Sequence, residues 1–249
     1  LFVSKFSYGP RIPNTPIAMP FVHHTMPYTN TKSYLEWIKI PYTRWFAKPV
    51  KRNDVVVFNF PVNDTLINDE ANFGSRTTYY EAMRQMGRDK VWDVYKDIII
   101  TRPVDKRENF IKRCVAIGGD VIQIVNGKVM VNGQPQAVFP QSQRYYRLQV
   151  PANDYLDNDK LKDMGIMIRE EQGDKLQEGP NTYRVNITNE EKQHLKLPPG
   201  YILTDFIVDA NDPNFPVRQL YPYYLNNTTW TVDNFGPVTV PKKGMKIEL

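Results

Sequence analysis

The sequence predicts a mainly β protein with a few short helices, and three observations carry that prediction. Glu108–Ile122 alternates its side chains along a short strand and then meets a Gly118-Gly119-Asp120 turn. Val121–Gly133, VIQIVNGKVMVNG, is two alternating runs around Asn126-Gly127, a dipeptide that accepts the positive φ of a two-residue hairpin turn. Asp54–Pro61, Arg144–Val150 and Tyr201–Val208 are rich in β-branched and aromatic residues, whereas every helical pattern is short.

Composition sets broad limits. With 249 residues and 41% hydrophobic content the chain can bury one large or two modest cores. The net charge of +5 is spread along the chain without a long Lys/Arg run, which argues against nucleic acid and for weak attraction to anionic lipid. A single cysteine, Cys114, excludes an internal disulfide and leaves the redox compartment open. No apolar run approaches the roughly 18 residues that span a bilayer, and no signal peptide opens the chain, so any anchor is expected outside it.

Taken in order, Leu1–Tyr8 alternates as a strand and Gly9-Pro10 stops it. Pro10–Tyr28 carries Pro13, Pro16, Pro20 and Pro27 and is expected to be extended without regular pairing. His23 and His24 within it are expected on opposite faces, which does not suit a shared metal, and neither metal nor cofactor is expected. Ser33–Pro49 mixes Trp37, Trp45 and Phe46 with Lys39, Arg44 and Lys48. Rings among basic residues suit the lipid–water boundary, and the alternative is a core beneath the proline-rich arm.

Asp54–Pro61 reads as a buried strand. Val62–Glu108 contains a helical insertion over about 62–100. Thr78 with Glu81 is a capping-box signature, Tyr79, Met83 and Met86 share a helical face, and Gly87 breaks the helix. Val91–Asp97 adds a turn or two before an Ile98–Ile100 strand. In the next strand Phe110, Lys112, Cys114 and Ala116 share one face, and Ile111, Arg113, Val115 and Ile117 the other. Lys112 thus sits among apolar neighbours, where loss of hydration favours the neutral amine that can act as a base. The plainer alternative is a lysine that snorkels its charge to water.

Beyond the hairpin and a second turn at Asn132-Gly133, residues from Gln134 to about Phe235 form a mostly β block. Asp157–Met164 is a short helix ending at Gly165, and Thr188 with Glu191 opens another that runs to about Leu195. Sequons at Asn63, Asn186, Asn226 and Asn227 are attributed to chance, and no internal repeat is present.

Three of these segments, in order, resemble the motifs of bacterial type I signal peptidases (leader peptidases of the Ser-Lys, S26 type), and of their Bacteroidetes-like members. Leu1–Gly9 is similar to the strand that follows the family's serine motif. Asn53–Pro61 is similar to its Gly-Asp-Val-Val strand, with Asn53 in place of glycine. Phe110-Ile111-Lys112-Arg113 with its Gly-Asp turn is similar to the lysine motif. The resemblance implies a signal-peptidase/LexA-like β core with a second, mostly β inserted domain: residues 1–133 as the catalytic-core portion, 134–249 as the inserted domain and the approach to the family's final motif. It implies Lys112 as general base, with Arg113 and Asp120 as structural support. Leu1, Val57, Phe58, Phe110 and Ile111 become the substrate groove, although a place in the core is the ordinary alternative for each.

The resemblance further implies signal peptides of preproteins and a lipid surface as partners, no nucleic acid, and an inner-membrane location facing the periplasm. The nucleophilic serine is expected ahead of Leu1, and the final Gly-Asp-Asn-Arg motif beyond Pro241–Leu249, which resembles its approach. The chain is therefore expected to be an inactive piece of a longer peptidase. The competing readings are a non-catalytic extracytoplasmic β protein that binds peptide or lipid, and a self-cleaving Ser-Lys regulator with an upstream DNA-binding domain.

Overall fold

The computed structural model describes residues 3–4, 6–29, 31–41, 43–59, 65–68, 79–168, 173–209, 220 and 229–246. Among these the chain is mainly β, with four small sheets and a few short helices, as expected. It divides into two units, Leu1–Ile117 and Gly118–Leu249, so the Val121–Val131 hairpin falls in the second. No described helix is long and apolar enough to cross a membrane.

In the first unit the proline-rich arm is extended and pairs only through isolated bridges, Arg11 with Arg44, Ala18 with Tyr34 and Thr25 with Lys32. Prolines cannot donate to a ladder, so no regular sheet forms. The arm reverses where the Met26 N–H donates to Thr31 O at 2.8 Å. The strand expected over Leu1–Tyr8 is not formed by its described residues. Phe6–Gly9 is instead a turn, with the Gly9 N–H donating to Phe6 O at 3.1 Å. Gly9 has φ +83, and a Cβ there would stand 2.2 Å from Trp45 O, so only glycine suits this bend.

Val55–Asn59 forms β1. Thr65–Ile67 (β2) pairs antiparallel with Ile99–Thr101 (β3). Between them lie helices Tyr79–Met86 (α1) and Arg88–Tyr95 (α2), broken at Gly87, φ +83, as its position predicts. Tyr79, Ala82 and Val91 bury against Ile67, and Met83 and Met86 pack beside them. Thr78, the expected cap, lies outside the described residues. A 3-10 turn, Lys96–Ile98, leads into β3. Asn109–Arg113 (β4) then pairs antiparallel with β1.

In the second unit Val121–Val125 (β5) and Lys128–Val131 (β6) form the expected hairpin. Asn126 and Gly127 have φ +48 and +69, which matches the right-handed strand twist. Asn132-Gly133 turns the chain into Gln134–Pro135 (β7). Gln143–Gln149 (β8), Lys175–Gly179 (β9), Thr182–Thr188 (β10) and Ile202–Asp205 (β11) make a sheet of order β11-β8-β10-β9. Alternation decides its buried face: Tyr146, Leu148, Tyr183, Val185 and Ile187 point inward. Helix Asn158–Asp163 (α3), capped by the Asp157 carboxylate at Lys160 N–H (2.8 Å), adds Leu161 to that core. Helix Asn189–His194 (α4) carries the complete Thr188–Glu191 capping box, with bonds of 3.0 and 2.7 Å. Phe235–Thr239 (β12) returns to pair with β5.

Candidate active site

The site expected from the sequence is centred on the β1–β4 ribbon. Register places Val56 opposite Lys112, Val57 opposite Ile111 and Phe58 opposite Phe110. Directly opposed residues share a face, so Val56, Phe58, Phe110 and Lys112 line one side, and Val57, Ile111 and Arg113 the other. The Phe58 and Phe110 rings meet at 6.5 Å between centroids. The groove residues therefore divide between two faces, with only Phe58 and Phe110 beside the lysine. Leu1 lies outside the described residues.

Lys112 is exposed. The dry, apolar enclosure predicted from its sequence neighbours is not formed by the described residues. A two-stranded ribbon gives each face only two short rows of side chains, and among the described residues these leave Lys112 uncovered. Its Nζ makes no hydrogen bond or ion pair among the described residues. Arg113, on the opposite face, donates from Nη1 to Asn53 O at 3.0 Å and so ties β4 to the entry of β1.

That entry is built around Asn53, the residue standing where the resembled family has glycine. Its φ is +73, in the left-handed region that asparagine tolerates better than most side chains. The Asn53 N–H donates to Cys114 O and the Cys114 N–H to Asp54 O, both at 2.7 Å, extending the ribbon beyond its regular strands. Partial burial, and then a hydrogen bond to Asp54, push the Tyr8 phenol above its ordinary value.

Asp120 belongs to the second unit and is buried in the turn before β5. Its Oδ1 accepts from Asn132 Nδ2 at 3.0 Å, its carbonyl accepts from Val240 N–H at 2.8 Å, and Gly119 N–H donates to Val240 O at 2.8 Å. The carboxylate thus holds a turn.

The expected membrane-facing rings are on the surface. Trp37 is 84% exposed, Phe46 90% and Trp45 56%, whereas Tyr34 is buried at 5%, so the alternative of a ring-filled core holds for Tyr34 and not for the other three. Phe21 and Tyr28, at the far end of the proline-rich arm, are fully exposed, and no sequence pattern marks them. Among the basic neighbours Lys39 and Lys32 bind Glu36, at 2.8 and 3.0 Å, and hold its carboxyl below the usual range.

Sequence reasoning also missed His23 and His24 as structural groups. Their rings stand edge to face, 5.2 Å apart, and both reach the residues just before β4, some eighty positions later. No local pattern signals a contact of that separation.

A family model described as signal peptidase, peptidase S26, matches residues 1–204. No curated protein and no solved structure matches the chain. The match takes in the β1–β4 ribbon, the two helices α1 and α2 and the sheet of β8 to β11 as far as Thr204, and with it the chain belongs to the signal peptidase family, peptidase S26.

Proposed function

We propose that this chain is the catalytic portion of a membrane-associated serine endopeptidase that removes signal peptides from exported preproteins through a Ser-Lys dyad. The observation that carries the reading is Lys112 on a strand paired to β1, within the family match, with Phe58 and Phe110 on its own face. Residues 1–133 are the catalytic-core portion and 134–249 the inserted domain. The serine partner of Lys112 is carried over from the resemblance and is assigned to no residue of this sequence. Location at the inner membrane with the catalytic portion facing the periplasm, in a Bacteroidetes-like enzyme, follows from the same resemblance.

In this mechanism the neutral Lys112 amine takes the serine hydroxyl proton as the oxygen attacks the scissile carbonyl carbon. Backbone N–H groups near the serine stabilise the oxyanion, and the ammonium returns its proton to the leaving amine. Water deprotonated by the same amine then releases the acyl group. The exposed Nζ sheds water when a substrate backbone lies along the ribbon, whose outer edges carry no further strand among the described residues. Phe58 and Phe110 supply the apolar wall beside it, Val57 and Ile111 lie on the reverse face of the ribbon, and Arg113 and Asp120 hold the backbone. Trp37, Trp45 and Phe46 meet the lipid surface.

The exposure of Lys112 favours one second reading, a non-catalytic extracytoplasmic protein that binds peptide or lipid. Lys112→Ala in the full-length protein separates the two. Preprotein cleavage is expected to fall by about a thousandfold or more with an unchanged melting temperature, because loss of a general base with its dyad leaves little chemistry. Cleavage at the parent rate would rule out the dyad.

A further inference from the structure

The four residues that lead into β4 are each held by a different side chain, three of them from the arm and the fourth, Tyr34, from the segment that the arm bridges at Ala18. Asp105 Oδ2 accepts from the Thr15 N–H at 3.0 Å and from its hydroxyl at 2.8 Å. Lys106 is buried with Nζ over the Tyr34 ring, 5.3 Å from its centroid. The Arg107 carbonyl lies 3.2 Å from His23 Nε2. Glu108 Oε1 stands 3.6 Å from His24 Nε2 and 3.7 Å from Nη1 of the buried Arg102. Thr15 is 2% exposed, so little water is available to its hydroxyl in place of that carboxylate. Asn59, the last residue of β1, closes the ring: its Nδ2 donates to Arg107 O at 3.3 Å and to Asn109 Oδ1 at 3.0 Å, while Arg11 of the arm donates to its Oδ1.

We propose that the proline-rich arm positions the lysine strand, with Thr15, His23, His24 and Tyr34 as positioning residues that fix residues 105–108 and, through them, Lys112. The inference rests on the reading of Lys112 as the general base. Residue 108 abuts a strand only five residues long, so a shift at its start is carried along the backbone to the amine four residues on. The fixed φ of the prolines makes the arm a stiff holder rather than a tether. Stiffness matters because proton transfer needs the amine and hydroxyl at about 3 Å, and a misplacement of about 1 Å can cost about a hundredfold in rate.

The test uses the full-length enzyme with Thr15→Val, which keeps the volume and removes the hydroxyl, and Thr15→Ser, which keeps the hydroxyl. Thr15→Val is expected to lower kcat by about ten- to hundredfold with KM within about twofold, and Thr15→Ser to restore kcat to within about threefold of the parent. Amide hydrogen exchange across Asn109–Arg113 is expected to quicken in Thr15→Val alone. His24→Gln, read by the same two measurements, serves if Thr15→Val does not fold. Unchanged exchange in this strand overturns the clasp, and faster exchange with unchanged kcat overturns its positioning role. Retained cleavage by Lys112→Ala instead overturns the base reading on which the rate effect rests, a failure told apart because the exchange result does not depend on it.

Discussion

Asn53 holds φ +73 at the entry to β1, where glycine would meet no steric penalty. Asn53→Gly is therefore expected to stay within a few tenths of a kcal/mol of the parent, whereas Asn53→Val should lose about 1–2 kcal/mol in denaturant unfolding. Equal stability of the two variants would show that the backbone relaxes out of this conformation at no cost. In the second unit the Lys160 ammonium, followed by the Tyr201 hydroxyl at 2.5 Å, holds the Asp154 carboxyl down to about 2 from its ordinary 3.8. A depressed carboxyl contributes stability that is complete above its ordinary value and is lost as pH falls through about 2. Asp154→Asn is expected to melt lower at neutral pH and to show a shallower decline of melting temperature between about pH 4 and 2. A decline as steep as the parent's would assign the acid sensitivity elsewhere. The Tyr201 contact was not legible in the sequence, since Asp154 and Tyr201 lie 47 positions apart.

Among the elements, those defined by local chemistry were legible: the Asn126-Gly127 hairpin, the break at Gly87, the short helix ending at Gly165 and the Thr188–Glu191 box each depend on residues a few positions apart. The two hairpin-end glycines separate two costs. Gly133 has φ +76 and open space where a Cβ would stand, whereas at Gly127, φ +69, a Cβ would fall 2.2 Å from Arg144 Nη2 and 2.8 Å from Asp233 Oδ1. Arg144 Nη2 also donates to Asn126 O at 2.9 Å, joining β8 to this hairpin. Gly133→Ala should cost about 1 kcal/mol of backbone strain, and Gly127→Ala measurably more, because the guanidinium must leave its site. Equal losses in chemical denaturation would mean that the Arg144 contact gives way freely. The described residues of Leu1–Tyr8 form no strand although they alternate, because alternation is a local signal and a strand also needs a partner to pair with.

For the molecule as a whole, the proposal of a lipid-facing surface rests on individually exposed rings. Trp37, Trp45 and Phe46, with Phe21 and Tyr28, are large apolar groups that water solvates poorly, and a headgroup layer accommodates both the rings and the lysines among them. Double replacement, Trp37→Ala with Trp45→Ala, is expected to weaken binding of the 249-residue chain to anionic vesicles by about tenfold or more, a change of about 1.4 kcal/mol that two inserted indoles readily exceed. Undiminished sedimentation with vesicles would remove these residues from the lipid surface.

The sequence by itself determined the β character of this protein, its hairpins and caps, and the motifs that mark its family, because alternation, turn chemistry and capping act over a few residues. Tertiary structure decided the rest: which residues of β1 share a face with Lys112, that Lys112 is exposed, and that Thr15, His23 and His24 grip the approach to its strand. Exposure and long-range contact depend on what the folded chain brings to each side of a strand, and a two-stranded ribbon leaves uncovered a face that the same apolar sequence would bury under a second layer.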